Sequence, residues 1–412
     1  MKKARLFLLL LCIPLFLGGC PGSLDPTPPL APATLIYMVA DNNLDFYSML
    51  NIRQLERGLP DYATGPIFVF LTRRRGANPS HPVLIKVVQN NDEEDNFVRS
   101  PIIQTFRQQN TVNPDFMRRV IADVQNHARR HNAELRRLIL WSHGTGWLPE
   151  DTPFNYIDID DLADFSKDMV SPFAFGPDET GYGDGTEHRR KMCILDMARA
   201  LAGNRFEVII MDACFMSTVE VAYELRNLTN YFIMSPSEVV VTGFPYQAIA
   251  SLLSAPTIDP FAIAREFFDY YNSLPGVLRT AAISVINTRY LGALALAMQD
   301  FFLDFKPVRN DIPIDHFLQY DRTRSNYFFG FKDFVNRVSK YTGNNHARLL
   351  EIYNKVVPLY LHTPQIFNML DLIGTSGLSI YIPNNHGDRQ ELHEFFRRLS
   401  WAKDSNAILL FD

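Results

Sequence analysis

Short, unbroken aliphatic runs recur along the chain, each bounded by polar or small residues. Residues 34–40 (TLIYMVA), 66–72, 83–88, 138–141, 207–211, 231–235 and 281–285 all read this way. A strand covered on both faces needs no polar alternation, so such runs predict buried strands of a largely parallel sheet. Helical periods lie between them. Asn113-Pro114 offers a cap with proline at the first helical position, and Met117, Val120, Ile121 and Val124 then repeat at helical spacing through His131. Residues 192–201 and 216–226 read as two more helices. This alternation predicts an α/β sandwich with helices on both faces of the sheet. From about Tyr290 onward the pattern is mainly helical, with a late strand at 378–382. Residues 147–188 are irregular and rich in Asp, Pro and Gly, and an insert of that length is usually functional or unstructured.

The N-terminus follows a different pattern. Lys2, Lys3 and Arg5 precede an apolar stretch, Leu6 to Leu17, too short to span a bilayer comfortably. It ends in Leu17-Gly18-Gly19-Cys20, which resembles the bacterial lipobox, where the signal is cut before a cysteine that then carries lipid. The residues from Pro21 to Pro32, rich in Pro, Gly and Ser, read as a tether. The expected location is the bacterial cell envelope, lipid-anchored through Cys20 at the outer membrane and facing either side. No later segment is long and apolar enough to cross a bilayer, so the lipid is the only membrane contact expected.

Composition narrows the partners. Hydrophobic residues make up 47% and charged residues 21% of the 412, as in ordinary globular proteins. A net charge of −5 and the lack of a basic stripe argue against nucleic acid. Beyond Cys12 and Cys20 only Cys193 and Cys214 remain, which excludes a disulfide scaffold but leaves one bridge open on arithmetic. The acidic run Asp92-Glu93-Glu94-Asp95 lacks the spacing of a known calcium loop and reads as a solvated turn. His393-Glu394 is followed by Arg397 where a zinc helix needs a second histidine, and no glutamate follows His127 before His131. No metal site is therefore expected. The Gly-x-Ser-x-Gly elbow of serine hydrolases is absent as well.

Two runs end in reactive side chains. Residues 138–144 read LILWSHG and residues 208–214 read VIIMDAC, so His143 and Cys214 each stand just past a strand. In a doubly wound sheet ligands sit outside the carboxyl ends of the strands, which sets both residues on one rim. A thiol and an imidazole there can act as nucleophile and base. Ser217-Thr218-Val219-Glu220 has the spacing of a capping box, whose helix N-terminus would favour a thiolate. The peptide N–H groups of Gly144 and Cys214 are the expected oxyanion donors.

Several stretches resemble the clostripain-related cysteine peptidases, the C11 family. Residues 34–45 (TLIYMVADNNLD) resemble its opening strand and 138–147 (LILWSHGTGW) its histidine motif. Residues 211–225 (MDACFMSTVEVAYEL) resemble its nucleophile motif, and 374–383 (GTSGLSIYIP) its C-terminal strand. The resemblance implies a caspase-like three-layer α/β/α sandwich and endopeptidase cleavage of peptides or proteins after arginine or lysine. By motif position it assigns His143 and Cys214 as the dyad and Asp212 as an acid of the specificity pocket, with Glu238 close by. It also allows calcium dependence, which no motif here supports, and no other cofactor is expected. Where family members carry further acids after the nucleophile helix, this chain has Pro236, Ser237 and Thr242. The expected organisation is a signal peptide over 1–19, a tether over 20–32, a peptidase domain over 33–289 and a C-terminal subdomain over 290–412. A reading from another class is a lipid-anchored lipoprotein that binds peptide or protein through a vestigial or remodelled site.

Overall fold

The first aliphatic run becomes strand β1 (Ala31–Ala40), in which every residue from Pro32 onward is buried. The computed structural model describes residues 29–74, 76–92, 94–150, 152, 175–178, 190–322, 326–383 and 390–411. The signal segment, Cys20 and most of the irregular stretch between 147 and 188 lie outside them. Strand β1 takes in the last two residues of the expected tether, 31 and 32.

Eight more strands complete a single sheet: β2 (Ile67–Arg73), β3 (Val83–Lys86), β4 (Ile102–Thr105), β5 (Ala133–Trp141), β6 (Phe206–Asp212), β7 (Thr229–Met234), β8 (Ala282–Asn287) and β9 (Leu359–His362). Their order is β9-β8-β7-β6-β5-β1-β2-β3-β4. The five central strands from β7 to β2 are parallel, and the two outer strands on each edge are antiparallel. Aliphatic continuity therefore predicted the parallel centre correctly.

From β1 the chain first adds β2 on one side and later returns to add β5 on the other. Right-handed crossovers then place the connecting helices on opposite faces. Helix α1 (Asp45–Gly58) lies on one face, joined there by α5 (Tyr246–Ser254) and α6 (Pro260–Ser273). Helices α2 (Pro114–Arg130), α3 (Ile194–Leu201) and α4 (Val219–Glu224) cover the other. Helix α2 shows why: Phe116, Met117, Val120, Ile121, Val124 and Ala128 form its buried stripe, and the Asn113 side chain accepts from the N–H groups of Asp115 and Phe116. Among the described residues no helix is long and apolar enough to cross a membrane.

Residues 31–412 form one compact unit, to which the segment after 290 also belongs. The reason lies in the late segments. β9 supplies a sheet edge by pairing with β8, and the Ser379 N–H donates to Ser217 O at 2.9 Å in the loop before α4. Of the late strand expected at 378–382, only Ser379–Ile380 pairs, with Phe329–Gly330. Farther on, the short helix Ser400–Asp404 packs on α4, where Tyr223 donates its hydroxyl to Asp404 at 2.8 Å.

Candidate active site

Register brings the two reactive residues together. Trp141 of β5 pairs with Asp212 of β6, so His143 and Cys214 each stand two residues beyond a paired position on adjacent parallel strands. Neighbouring strands run about 4.8 Å apart. The Ser142 N–H still donates to Asp212 O at 3.3 Å, which carries the pairing one step past the strand ends. Gly144 explains how the two turns fit: a Cβ there would stand 2.7 Å from Cys214 O and 2.9 Å from the Ala213 Cβ. The glycine permits backbone to pack on backbone, a stricter demand than keeping a side chain away from substrate. Cys193 and Cys214 are both free thiols, which closes the disulfide option.

His143 is 4% exposed. Its Nε2 lies 2.7 Å from Asn43 Oδ1, in the turn between β1 and α1. That turn sits at the β1/β5 switch, where strand order reverses and a crevice opens. Burial alone pushes the imidazole down to about 3, so the ring is neutral at neutral pH.

Cys214 is also buried. Its sulfur accepts from the Val239 N–H at 3.3 Å and its thiol faces Val239 O at 3.7 Å. Burial pushes the thiol up to about 12, against a smaller opposing pull from the Val239 hydrogen bond. The expected helix dipole is not in play here. Helix α4 begins only at Val219, and its cap is Thr218, whose Oγ1 accepts from the Val221 N–H at 3.1 Å. Ser217 instead donates its hydroxyl to Gly377 O, and Glu220 accepts from the Tyr381 N–H, so the capping box does not form. Phe215 takes a positive φ of 59°, in a turn that separates the thiol from the helix.

His143 and Cys214 line one cavity together with Asp212, Leu44 and the Val239–Val241 wall. Its open volume is ≈ 20 Å³, room for about one water. The pocket is narrow in this structure.

The two expected pocket acids hold other partners. Asp212 Oδ2 accepts from the Phe244 N–H at 3.1 Å and from the Tyr246 hydroxyl at 2.9 Å. Gly243, at φ +66°, packs so closely that a Cβ would stand 2.4 Å from that oxygen. Burial raises Asp212 to about 6. Glu238 makes a buried two-point pair with Arg322, whose Nε and Nη2 donate to it at 3.0 and 2.5 Å. It pins the wall beside Cys214, which the sequence reading did not foresee. Asn43, Val239, Arg322 and Tyr246 were all missed. The Asp41-Asn42-Asn43 turn at a strand end was the one visible signal, and only the strand order gives it meaning.

Residues weighed for metal binding behave as structural groups. His127 Nε2 is 3.0 Å from Gln104 Oε1, and His131 is exposed. His393 Nε2 is 3.1 Å from the Tyr381 hydroxyl.

The clostripain family model matches residues 36–162 and 179–409. No curated protein matches the chain. An inactive zymogen C11 protease from Parabacteroides distasonis is 26% identical, with a TM-score of 0.71 over 92% of this chain and 99% of that one. A secreted C11 cysteine protease from Bacteroides thetaiotaomicron, solved with an irreversible peptide inhibitor, shares the fold at 24% identity and a TM-score of 0.70, with the same coverage. The strand order, the thiol and imidazole on one rim, and a family match over most of the chain agree: this protein belongs to the clostripain family and is a cysteine peptidase.

Proposed function

We propose that the enzyme is an endopeptidase that works through a Cys214–His143 dyad and cleaves after arginine or lysine. The side-by-side placement of the two residues at the ends of β5 and β6 carries this reading. In the acylation step the Cys214 thiol proton passes to the imidazole as sulfur bonds to the scissile carbonyl carbon, and the carbonyl electron pair moves onto oxygen. The N–H groups of Gly144 and Cys214 are the proposed donors to that oxygen. Collapse of the intermediate breaks the C–N bond, and the imidazolium protonates the leaving amine. Water, deprotonated by His143, then attacks the thioester and releases the acid and the thiol.

The pocket has room for about one water, and movement of the Val239–Val241 wall is the proposed way in for a substrate side chain. The relative from Parabacteroides distasonis is described as an inactive zymogen. We read the narrow pocket here as the resting form of the same kind of enzyme. Asp212, which lines the cavity, is the proposed partner of a basic side chain, and Glu238 acts through the wall. Anchoring through Cys20 is proposed on its lipobox-like context alone; a Cys20→Ser variant should leave the membrane fraction.

The test is a peptide library assayed with the full chain, before and after incubation long enough to permit self-cleavage. Cys214→Ala and His143→Ala should each lose about 10³-fold or more in kcat/KM. Wild-type turnover in either variant rejects the dyad. The narrow pocket and the partnered acids also suit a peptide-binding lipoprotein, and that reading prevails if the native chain binds library peptides but never cleaves one.

A further inference from the structure

We infer that Asn43 is a positioning residue that holds the His143 ring and selects Nδ1 as the nitrogen that takes the Cys214 proton. The inference rests on the dyad reading above. It begins from a contact at the strand switch, where Asn43 Oδ1 lies 2.7 Å from His143 Nε2. An imidazole nitrogen that meets an amide oxygen must carry the hydrogen, so Nε2 donates and the lone pair of the neutral ring sits on Nδ1.

The turn that presents Asn43 is itself held firmly. Asn42 donates its amide to Val39 O at 3.1 Å and accepts from the Leu44 N–H at 2.9 Å. Asp45 takes Arg73 on both oxygens at 2.7 Å. Ser142, next to the histidine, donates its hydroxyl to Val39 O at 2.8 Å, which locks the end of β5 to the end of β1. The Asn43 side chain is exposed, yet its backbone is fixed by buried neighbours. That is the arrangement of a group that orients another at little cost to the fold.

The chemical consequence is specific. Nδ1 receives the thiol proton and later gives it to the leaving amine, while the Nε2–H stays on the Asn43 oxygen throughout. A neutral amide orients the ring without adding a counter-charge, so the imidazolium remains acidic enough to release its proton. Among the described residues, the charged and titratable groups on the elements around the ring are Asp41 and Asp45 from the β1–α1 turn, Asp212 and Cys214 from β6 and its turn, and Glu238 with Arg322 from the wall. Burial, not these charges, sets the proton affinity of the ring.

Steady-state kinetics of Asn43→Ala and Asn43→Asp across pH test the inference. Asn43→Ala should lose kcat by on the order of 10²-fold with KM and melting temperature unchanged. Asn43→Asp should recover most of kcat, and its carboxylate should move the acidic limb of the pH profile upward by about one unit or more. An Asn43→Ala variant within twofold of wild-type kcat, one altered only in KM, or an Asn43→Asp profile with an unmoved acidic limb overturns the assignment. His143→Ala serves as the control. Retained activity there removes the dyad and this inference with it, whereas an inactive His143→Ala beside a fully active Asn43→Ala rejects Asn43 alone.

Discussion

Arg322 closes its guanidinium on the Glu238 carboxylate; both side chains are buried, and Glu238 stands one residue before Val239, whose backbone holds the Cys214 sulfur. The two charges act on the thiol in opposite directions: Glu238 raises its proton affinity and Arg322 lowers it. Removing either partner of a buried pair leaves an uncompensated charge, which typically costs about 3–5 kcal/mol. Glu238→Gln and Arg322→Gln should therefore both lower stability in urea titrations. They should also split on reactivity. Alkylation of Cys214 by iodoacetamide, followed by peptide mass mapping, should speed up in Glu238→Gln and slow down in Arg322→Gln. Equal rates in the two variants would show that the pair does not act on the thiol.

A second buried acid sets a pH dependence of the fold. Glu220 accepts from the Tyr381 N–H through Oε1, and its Oε2 has no hydrogen-bond partner among the described residues. Burial raises it from 4.5 to about 7. Its folded form thus binds more protons than its unfolded form between those values. Stability is full below about pH 4.5 and falls as pH rises through 7. The loss is on the order of 3 kcal/mol from a shift of this size. Asp212, raised to about 6, adds a slope of the same sign at lower pH. Urea midpoints at pH 5 and pH 7.5 should converge in Glu220→Gln; a gap as wide as that of the native protein would exclude the residue as its source.

Gly144→Ala should disturb the site more than its size suggests. The added Cβ would meet Cys214 O at 2.7 Å and Met216 Sδ at 3.0 Å, and the first of these is backbone, which cannot rotate away. Overpacking of this kind typically costs about 1–3 kcal/mol. Because the displaced atoms belong to the nucleophile, activity should fall by more than tenfold. Gly292→Ala in α7 (Leu291–Phe305) is the matched control, since a Cβ there meets nothing within 4 Å. Its activity should not change. Comparable losses in both variants would mean the effect is generic.

The sequence made the site legible at the level of strands and opaque at the level of partners. Aliphatic runs located β1, β5 and β6, and strand ends located His143 and Cys214, because burial on both faces leaves a local mark; Asp212 came only from the family resemblance. Arg322 left no mark, and Asn43 only the Asp41-Asn42-Asn43 turn at the end of β1. Asn43 lies 100 residues from His143, and Arg322 lies 84 from Glu238, so each contact exists only once the strand order and the late segments are in place. The C-terminal portion left a faint local mark for a related reason. Its strands at 359–362 and 379–380 are four and two residues long, too short for a hydrophobic period, and only pairing partners reveal that they belong to the same unit. The cap of α4 failed more simply. Ser217 and Thr218 both suit a cap, and the pull of Gly377 on the Ser217 hydroxyl decided between them.

Specificity offers the sharpest prediction, because one carboxylate must do what family members share among several. Thr242, which stands where an acid was expected, meets the Tyr271 hydroxyl at 2.8 Å, and Ser237 donates its hydroxyl to Tyr320 O at 2.8 Å. Neither position offers charge to a substrate. Asp212 remains, tied on Oδ2 to Phe244 and Tyr246 and raised by burial to about 6. An acid in that range is partly protonated near pH 6 and ionised by pH 8. Preference for arginine or lysine over an uncharged residue at the cleaved position should therefore grow across that interval. A buried carboxylate–guanidinium contact typically changes kcat/KM on the order of 10²-fold. Asp212→Asn should remove the preference and its pH dependence together, while cleavage of uncharged substrates persists. Library profiles at pH 6 and pH 8 for both proteins decide the matter. A native profile dominated by apolar or acidic residues, unchanged in Asp212→Asn, would detach Asp212 from specificity and leave Cys214 serving a pocket built from other residues.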